Sequence, residues 1–127
     1  MTTPKDYSYS KTHEWIQFLS DGTALTGLTD FAQESLSDLV FINMPSVGDG
    51  VTSGEPYADI ESVKAVADIN SLVSGTILET NDEVEDEPGK INEDPYGVWI
   101  IKIGDISEKA DLMDAAAYDK FCEEEEH

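Results

Sequence analysis

Three groups of side chains in this sequence have types that do chemistry: Lys64, the neighbours His13 and Glu14, and the carboxylates Glu14 and Asp68. Lys64 sits in the run Asp59-Ile60-Glu61-Ser62-Val63-Lys64-Ala65-Val66-Ala67-Asp68-Ile69. Before it, Asp59/Glu61 alternate with Ala58/Ile60; after it, Ala65/Ala67/Ile69 alternate with Val66/Asp68/Asn70. Period-two alternation on both sides of a short break predicts two strands joined by a tight hairpin, with the lysine at its tip. A solvated alkylamine is almost fully protonated at neutral pH and so a poor nucleophile. Activation needs burial or a neighbouring cation, whereas Glu61 and Asp68 favour the charged form. Two readings stay open on these residues: an ordinary solvated turn lysine, or an amine held clear of the sheet as an attachment point.

His13 and Glu14 have the types of an acid–base pair, and Glu14 with Asp68 those of a carboxylate pair. No serine or cysteine nucleophile motif accompanies them. A strand-edge histidine and surface carboxylates are the plainer account; an enzyme built on His13 and Glu14 would have to turn over a small substrate without modification of Lys64. Asn81-Asp82-Glu83-Val84-Glu85-Asp86 is acidic enough for a calcium loop but lacks its spacing. The sixth and twelfth positions are Asp86 and Asn92, where an EF-hand needs glycine and glutamate. No catalytic residue and no metal ligand is assigned.

Composition narrows the partners. The chain has 127 residues, 28 Asp and Glu, seven lysines and no arginine, for a net charge of −21. Phosphate binding by counterion release needs a basic surface, so nucleic acid and anionic membrane are excluded as partners. Self-repulsion favours a monomer. The single cysteine, Cys122, rules out an internal disulfide framework, fits a reducing compartment, and reads as a half-buried helix residue. Apolar runs such as Leu39–Ile42 and Val98–Ile101 are too short to span a bilayer. Met1-Thr2-Thr3-Pro4 has neither a signal core nor an Arg-rich transit helix. The expectation is a cytoplasmic protein of bacterial type, or a mitochondrial matrix protein if the chain is a processed form.

The length predicts one domain over 1–127, able to bury a core without metal or disulfide. Residues 1–8 are expected to be loosely held. His13–Leu19 alternates as a strand with one face buried, Ser20-Asp21-Gly22 supplies a hairpin turn, and Thr23–Leu28 returns. Thr29 or Asp30 caps a short helix near 30–37. Leu39–Met44 is a strand ended by Pro45-Ser46-Val47-Gly48, and Ser74–Glu79 is another. Asn81–Asp94 reads as an acidic exposed loop with room for one helical turn, Val98–Ile103 as the last strand, and 107–127 as a C-terminal helix with an acidic tail. Asp114 is a candidate cap there, and Glu123–Glu126 oppose the helix dipole.

Several of these residues together resemble the glycine cleavage system H protein family. They are Thr12-His13-Glu14-Trp15, Gly27-Leu28-Thr29-Asp30-Phe31-Ala32-Gln33, Glu61-Ser62-Val63-Lys64-Ala65, Val73-Ser74-Gly75 and Asn92-x-Asp94-Pro95-Tyr96-Gly97. Five motifs in order, from about Tyr9 onward, are far more specific than any one alone. The resemblance implies an all-β, lipoyl/biotinyl-type flattened barrel or sandwich hybrid. It implies lipoic acid in amide linkage on Lys64, with Glu61, Ser62, Val63 and Ala65 as the recognition turn. It implies a non-enzymatic carrier that takes an aminomethyl group from a pyridoxal-phosphate glycine decarboxylase (P protein) to a tetrahydrofolate-dependent aminomethyltransferase (T protein). A dihydrolipoamide dehydrogenase (L protein) then reoxidises the arm, which a lipoate ligase or octanoyltransferase installs. Glu14, Leu28, Ala32, Leu36 and Asp68, with Ala65 on the apolar wall, are implied to line a groove for the loaded arm. A relay that donates octanoyl or lipoyl groups to 2-oxo-acid dehydrogenase domains would use the same lysine. The sequence departs from the family at Ser37, where glycine is usual, at Leu72, where proline is usual, and in a shortened Tyr96-Gly97-Val98-Trp99 loop.

Overall fold

A computed structural model of the chain describes residues 3–125. Its first unit is the hairpin of β2 (Glu14–Phe18) and β3 (Ala24–Leu28), preceded by the two-residue β1 (Ser8–Tyr9). Gly22 takes φ +87° in the connecting turn, and Asp21 Oδ1 accepts from Thr23 N at 3.0 Å, the expected Asp-Gly turn chemistry. Thr29 Oγ1 then accepts from Ala32 N at 3.2 Å and caps α1 (Asp30–Leu36).

The chain continues through β4 (Leu39–Asn43), β5 (Gly50–Val51), β6 (Pro56–Ser62), β7 (Val66–Asn70) and β8 (Val73–Thr80). Two short helices follow, α2 (Asp82–Asp86) and α3 (Lys90–Glu93), then β9 (Ile101–Lys109) and α4 (Ala115–Glu125). The strands form a six-stranded sheet, β1-β2-β3-β9-β8-β5, and a three-stranded sheet, β4-β6-β7. One apolar core holds Ile16 and Ile77 from the larger sheet together with Ile42, Ile60 and Ile69 from the smaller. This is the expected flattened β architecture, although the sheets do not close into a full barrel.

Five expectations are corrected. β2 is buried on both faces, not one: Glu14 and Ile16 face the main core, while Trp15 enters a second, aromatic cluster with Tyr9, Tyr96 and Tyr118. That cluster also places the start of the chain, because the Tyr7 and Trp15 ring centroids lie 4.6 Å apart; residues 1 and 2 of the stretch expected to be loose lie outside the described residues. The acidic 81–94 segment holds two helical turns where a loop with room for one was expected, each anchored by one buried side chain, Val84 or Ile91. The final strand begins later than expected and runs on to Lys109, because β8 pairs with it as far as Val73↔Lys109. Helix therefore starts at Ala115, not near 107, with Asp114 Oδ1 accepting from Ala117 N at 2.8 Å as the expected cap. Of the acidic run at its end, Glu126 lies outside the described residues.

Candidate functional site

β6 and β7 pair in register from Asp59↔Asp68 through Ile60↔Ala67 to Glu61↔Val66. Ser62 N donates to Ala65 O at 2.8 Å, so Val63 and Lys64 are the two residues of the turn. Ser62 Oγ accepts from Lys64 N at 3.1 Å and from Ala65 N at 3.0 Å. Those two amides would otherwise point at water, so one serine fixes the turn's shape. Val63 N donates to Asp38 O at 3.0 Å, which ties the tip to the end of α1. Lys64 is exposed, and its Nζ donates to the Ser35 carbonyl at 3.3 Å. The predicted hairpin and the predicted placement of the lysine are both present.

Ser35 is also part of the rim of a cleft of ≈ 160 Å³ between α1 and β7. Leu28, Ala32, Leu36 and Asp68, expected to line one groove, are all in its lining, with Thr12, His13, Ser35, Ile60 and Ala67. Ala32, Ser35 and Leu36 share a helix face at i, i+3 and i+4. Ala65 is exposed in the turn and outside the cleft; Ala67, two residues on and paired with Ile60, takes the wall position. The period-two pattern carried that signal, because Ala67 follows Ala65 on the same face.

Glu14 is not a wall residue. It is 1% exposed and lies beneath the Thr12 side of the cleft. Its Oε1 accepts from Ser10 Oγ at 2.6 Å and from Thr12 Oγ1; its Oε2 accepts from Asn70 N at 3.0 Å and Asn70 Nδ2 at 3.3 Å. Burial raises its pKa above the ordinary glutamate value, and the four donors only partly oppose this. Burial, and next the Glu14 charge, hold the Tyr57 hydroxyl protonated well above its usual range. Glu14 thus binds β2 of one sheet to β7 of the other and fixes the strand that carries the lysine turn. His13 is no free base either. With φ +70°, it lies with Nδ1 2.7 Å from the Tyr118 hydroxyl and Nε2 2.8 Å from Glu125 Oε2, and it stacks on Phe31 at 4.3 Å.

Asn92 is a positioning residue the sequence pattern carried only as a motif letter. Its Oδ1 accepts from Leu39 N at 3.0 Å, and its Nδ2 donates to Ser37 O at 3.0 Å and Gln33 Oε1 at 2.9 Å. It locks the α1–β4 corner beneath the hairpin tip. Leu72, where proline is usual in the family resembled, is 2% exposed and its carbonyl accepts from Ala110 N at 2.8 Å; the return strand is held by core packing instead.

A flattened two-sheet β fold with one lysine on an exposed two-residue turn beside an apolar cleft is the architecture of a prosthetic-group carrier domain. The sequence profile of the glycine cleavage H-protein family matches residues 7–125. The chain is 49% identical over 117 residues to a glycine cleavage system H protein of Lachnoclostridium phytofermentans, covering 92% of each chain. It is 49% identical over 116 residues to a probable glycine cleavage system H protein of Pyrococcus abyssi, covering 89% of this chain and 87% of that one. In structure it is similar to a glycine cleavage system H protein from Mycobacterium marinum, with a TM-score of 0.89, 37% identity, and 93% and 97% of the two chains covered. The chain belongs to the glycine cleavage H-protein family, a family of lipoyl carriers.

Proposed function

We propose that Lys64 is the lipoyl-attachment residue and that the chain acts as one non-enzymatic carrier domain over 1–127. It carries an aminomethyl group from a glycine decarboxylase to a tetrahydrofolate-dependent aminomethyltransferase, and is returned to its starting state by a dihydrolipoamide dehydrogenase. The single observation behind this is the two-residue turn that presents Lys64 to solvent with Nζ already at the rim of the cleft. When attached, a lipoyl group would supply a dithiolane whose S–S bond opens as the carbon unit is taken on; release of that unit would leave a dithiol for the dehydrogenase to reoxidise. The protein's part is orientation and protection.

The residues present suit that group. The turn projects the amine away from the sheet, where an attaching enzyme reaches it. Leu28, Ala32, Leu36, Ile60 and Ala67 form an apolar wall that shields a hydrolysable carried group from water. Asp68 supplies a carboxylate at that wall for a cationic amine. Glu61, Ser62, Val63 and Ala65 shape the turn that an attaching enzyme reads.

The test is Lys64→Arg, which keeps the charge and cannot be acylated. Peptide mapping of wild-type protein after incubation with lipoate, ATP and a lipoate–protein ligase is expected to place the added mass on Lys64. The variant is expected to gain no mass and to support no aminomethyl transfer, with unchanged circular dichroism. Transfer activity retained by the variant overturns the reading.

A further inference from the structure

One face of the β4-β6-β7 sheet looks outward beside the lysine turn and carries more apolar surface than a solvated face needs. The register sets Phe41, Glu61 and Val66 in one row across the three strands, with Asn43, Asp59 and Asp68 in another. Phe41 is 52% exposed and Val66 65%; Val40, at the irregularity in β4, and Val63, in the turn itself, are 54% and 65% exposed. Scattered single apolar residues on a surface need no account. Four of them gathered about one turn do. The rim is of one sign: Asp38, Asp59, Glu61 and Asp68 stand on or next to these strands, and Lys64 is the sole lysine or arginine between Lys11 and Lys90.

We propose that this face, centred on Phe41 and Val66, is the docking surface for the enzyme that acylates Lys64, a protein presenting an apolar depression ringed by Lys and Arg side chains. The proposal rests on the reading of Lys64 as the attachment residue. Reach selects this partner. Before attachment the amine extends only one side chain beyond the turn, so whatever acylates it must close over the hairpin itself. On one flank Nζ lies against the α1 carbonyl of Ser35; the other flank is the Val40–Phe41–Val66 face. The acidic rim steers a basic partner and the apolar centre holds it. In the ligase reaction, lipoate is first converted by ATP to its adenylate with loss of pyrophosphate. The Nζ amine then displaces AMP, forming the amide and releasing a proton, so the one cation on this face disappears as the product forms. The face that leaves the ligase is more acidic than the one that entered.

The test compares the wild-type chain with Phe41→Thr and Val66→Thr as substrates of a lipoate–protein ligase supplied with lipoate and ATP, with product scored by intact mass. Threonine keeps strand preference. Val47→Thr is the control, since Val47 is 62% exposed but lies on the loop whose Gly48 N bonds β8 at Ile77 O. The KM for the chain is expected to rise about tenfold in each face variant with kcat within about twofold, as for truncation of an interface anchor, and to stay unchanged in the control. Added NaCl is expected to raise the wild-type KM. Unchanged KM in both face variants, with the wild type still acylated on Lys64, overturns the docking surface and leaves the attachment reading standing. A fall in kcat at constant KM also overturns it. Failure of the wild type to take lipoyl on Lys64 overturns the attachment reading and the docking surface with it.

Discussion

At the scale of single residues, the buried carboxylate of Glu14 is the least expendable group near the site. Truncation to alanine leaves the Asn70 amide and the Ser10 and Thr12 hydroxyls without their acceptor and opens a cavity between the sheets. The expected cost is about 2–4 kcal/mol in urea unfolding, with Glu14→Gln well below that because one oxygen remains. The pH dependence has a definite sign. Burial favours the protonated acid, so the folded chain holds the Glu14 proton to higher pH than the unfolded chain does. The stability this contributes is complete below the unfolded value of about 4.3 and is lost as pH rises through the raised folded value. The difference in unfolding free energy between wild type and Glu14→Gln is therefore expected to fall across that window and to be flat above it. A difference that grows with pH contradicts the burial account. The residue types had marked Glu14 as part of a site, but not its depth, because alternation places it on the Ile16 side without saying what covers that side. Its partner Asn70 lies 56 positions away, and no local pattern links them.

At the scale of elements, the corner between α1 and β4 carries visible strain. Ser37 closes α1 with φ +67° and ψ −154°, a conformation that glycine adopts freely and an L side chain pays for with about 1–3 kcal/mol. Its neighbours hold it there: Ser37 N donates to Gln33 O at 2.9 Å, and Ser37 O accepts from Asn92 Nδ2 at 3.0 Å. Ser37→Gly is expected to stabilise the protein by about 1 kcal/mol or more, read as a higher urea midpoint with an unchanged slope; a lower midpoint contradicts the strain. The turns and caps were legible here because their chemistry is local: Asp21-Gly22, Thr29 and Asp114 act within three residues of themselves. The second helical turn of 81–93 was not, since each turn rests on a single apolar side chain in an acidic background. Nor was the length of β9, which is set by its partner β8 and not by its own composition.

At the scale of the whole molecule, the charge of −21 opposes compaction. Raising NaCl from about 0.01 to 1 M shortens the screening length from roughly 30 to 3 Å, so the melting temperature is expected to rise with salt, and a flat or falling profile would contradict net repulsion. The alternation of residue types placed most of the strands, and the flattened β plan was legible through the family resemblance that the motif order carries. The aromatic cluster joining the chain's start to α4 was not, because Tyr9 and Tyr118, stacked at 4.8 Å, are brought together by topology alone. The isolation of Lys64 on its exposed turn also has a practical consequence. Trypsin cuts after lysine, and the 78 residues from 12 through 89 offer it one such bond, Lys64–Ala65. An acyl group on Nζ removes that bond from the protease's repertoire, so the chain reports its own loading as a fragment left whole.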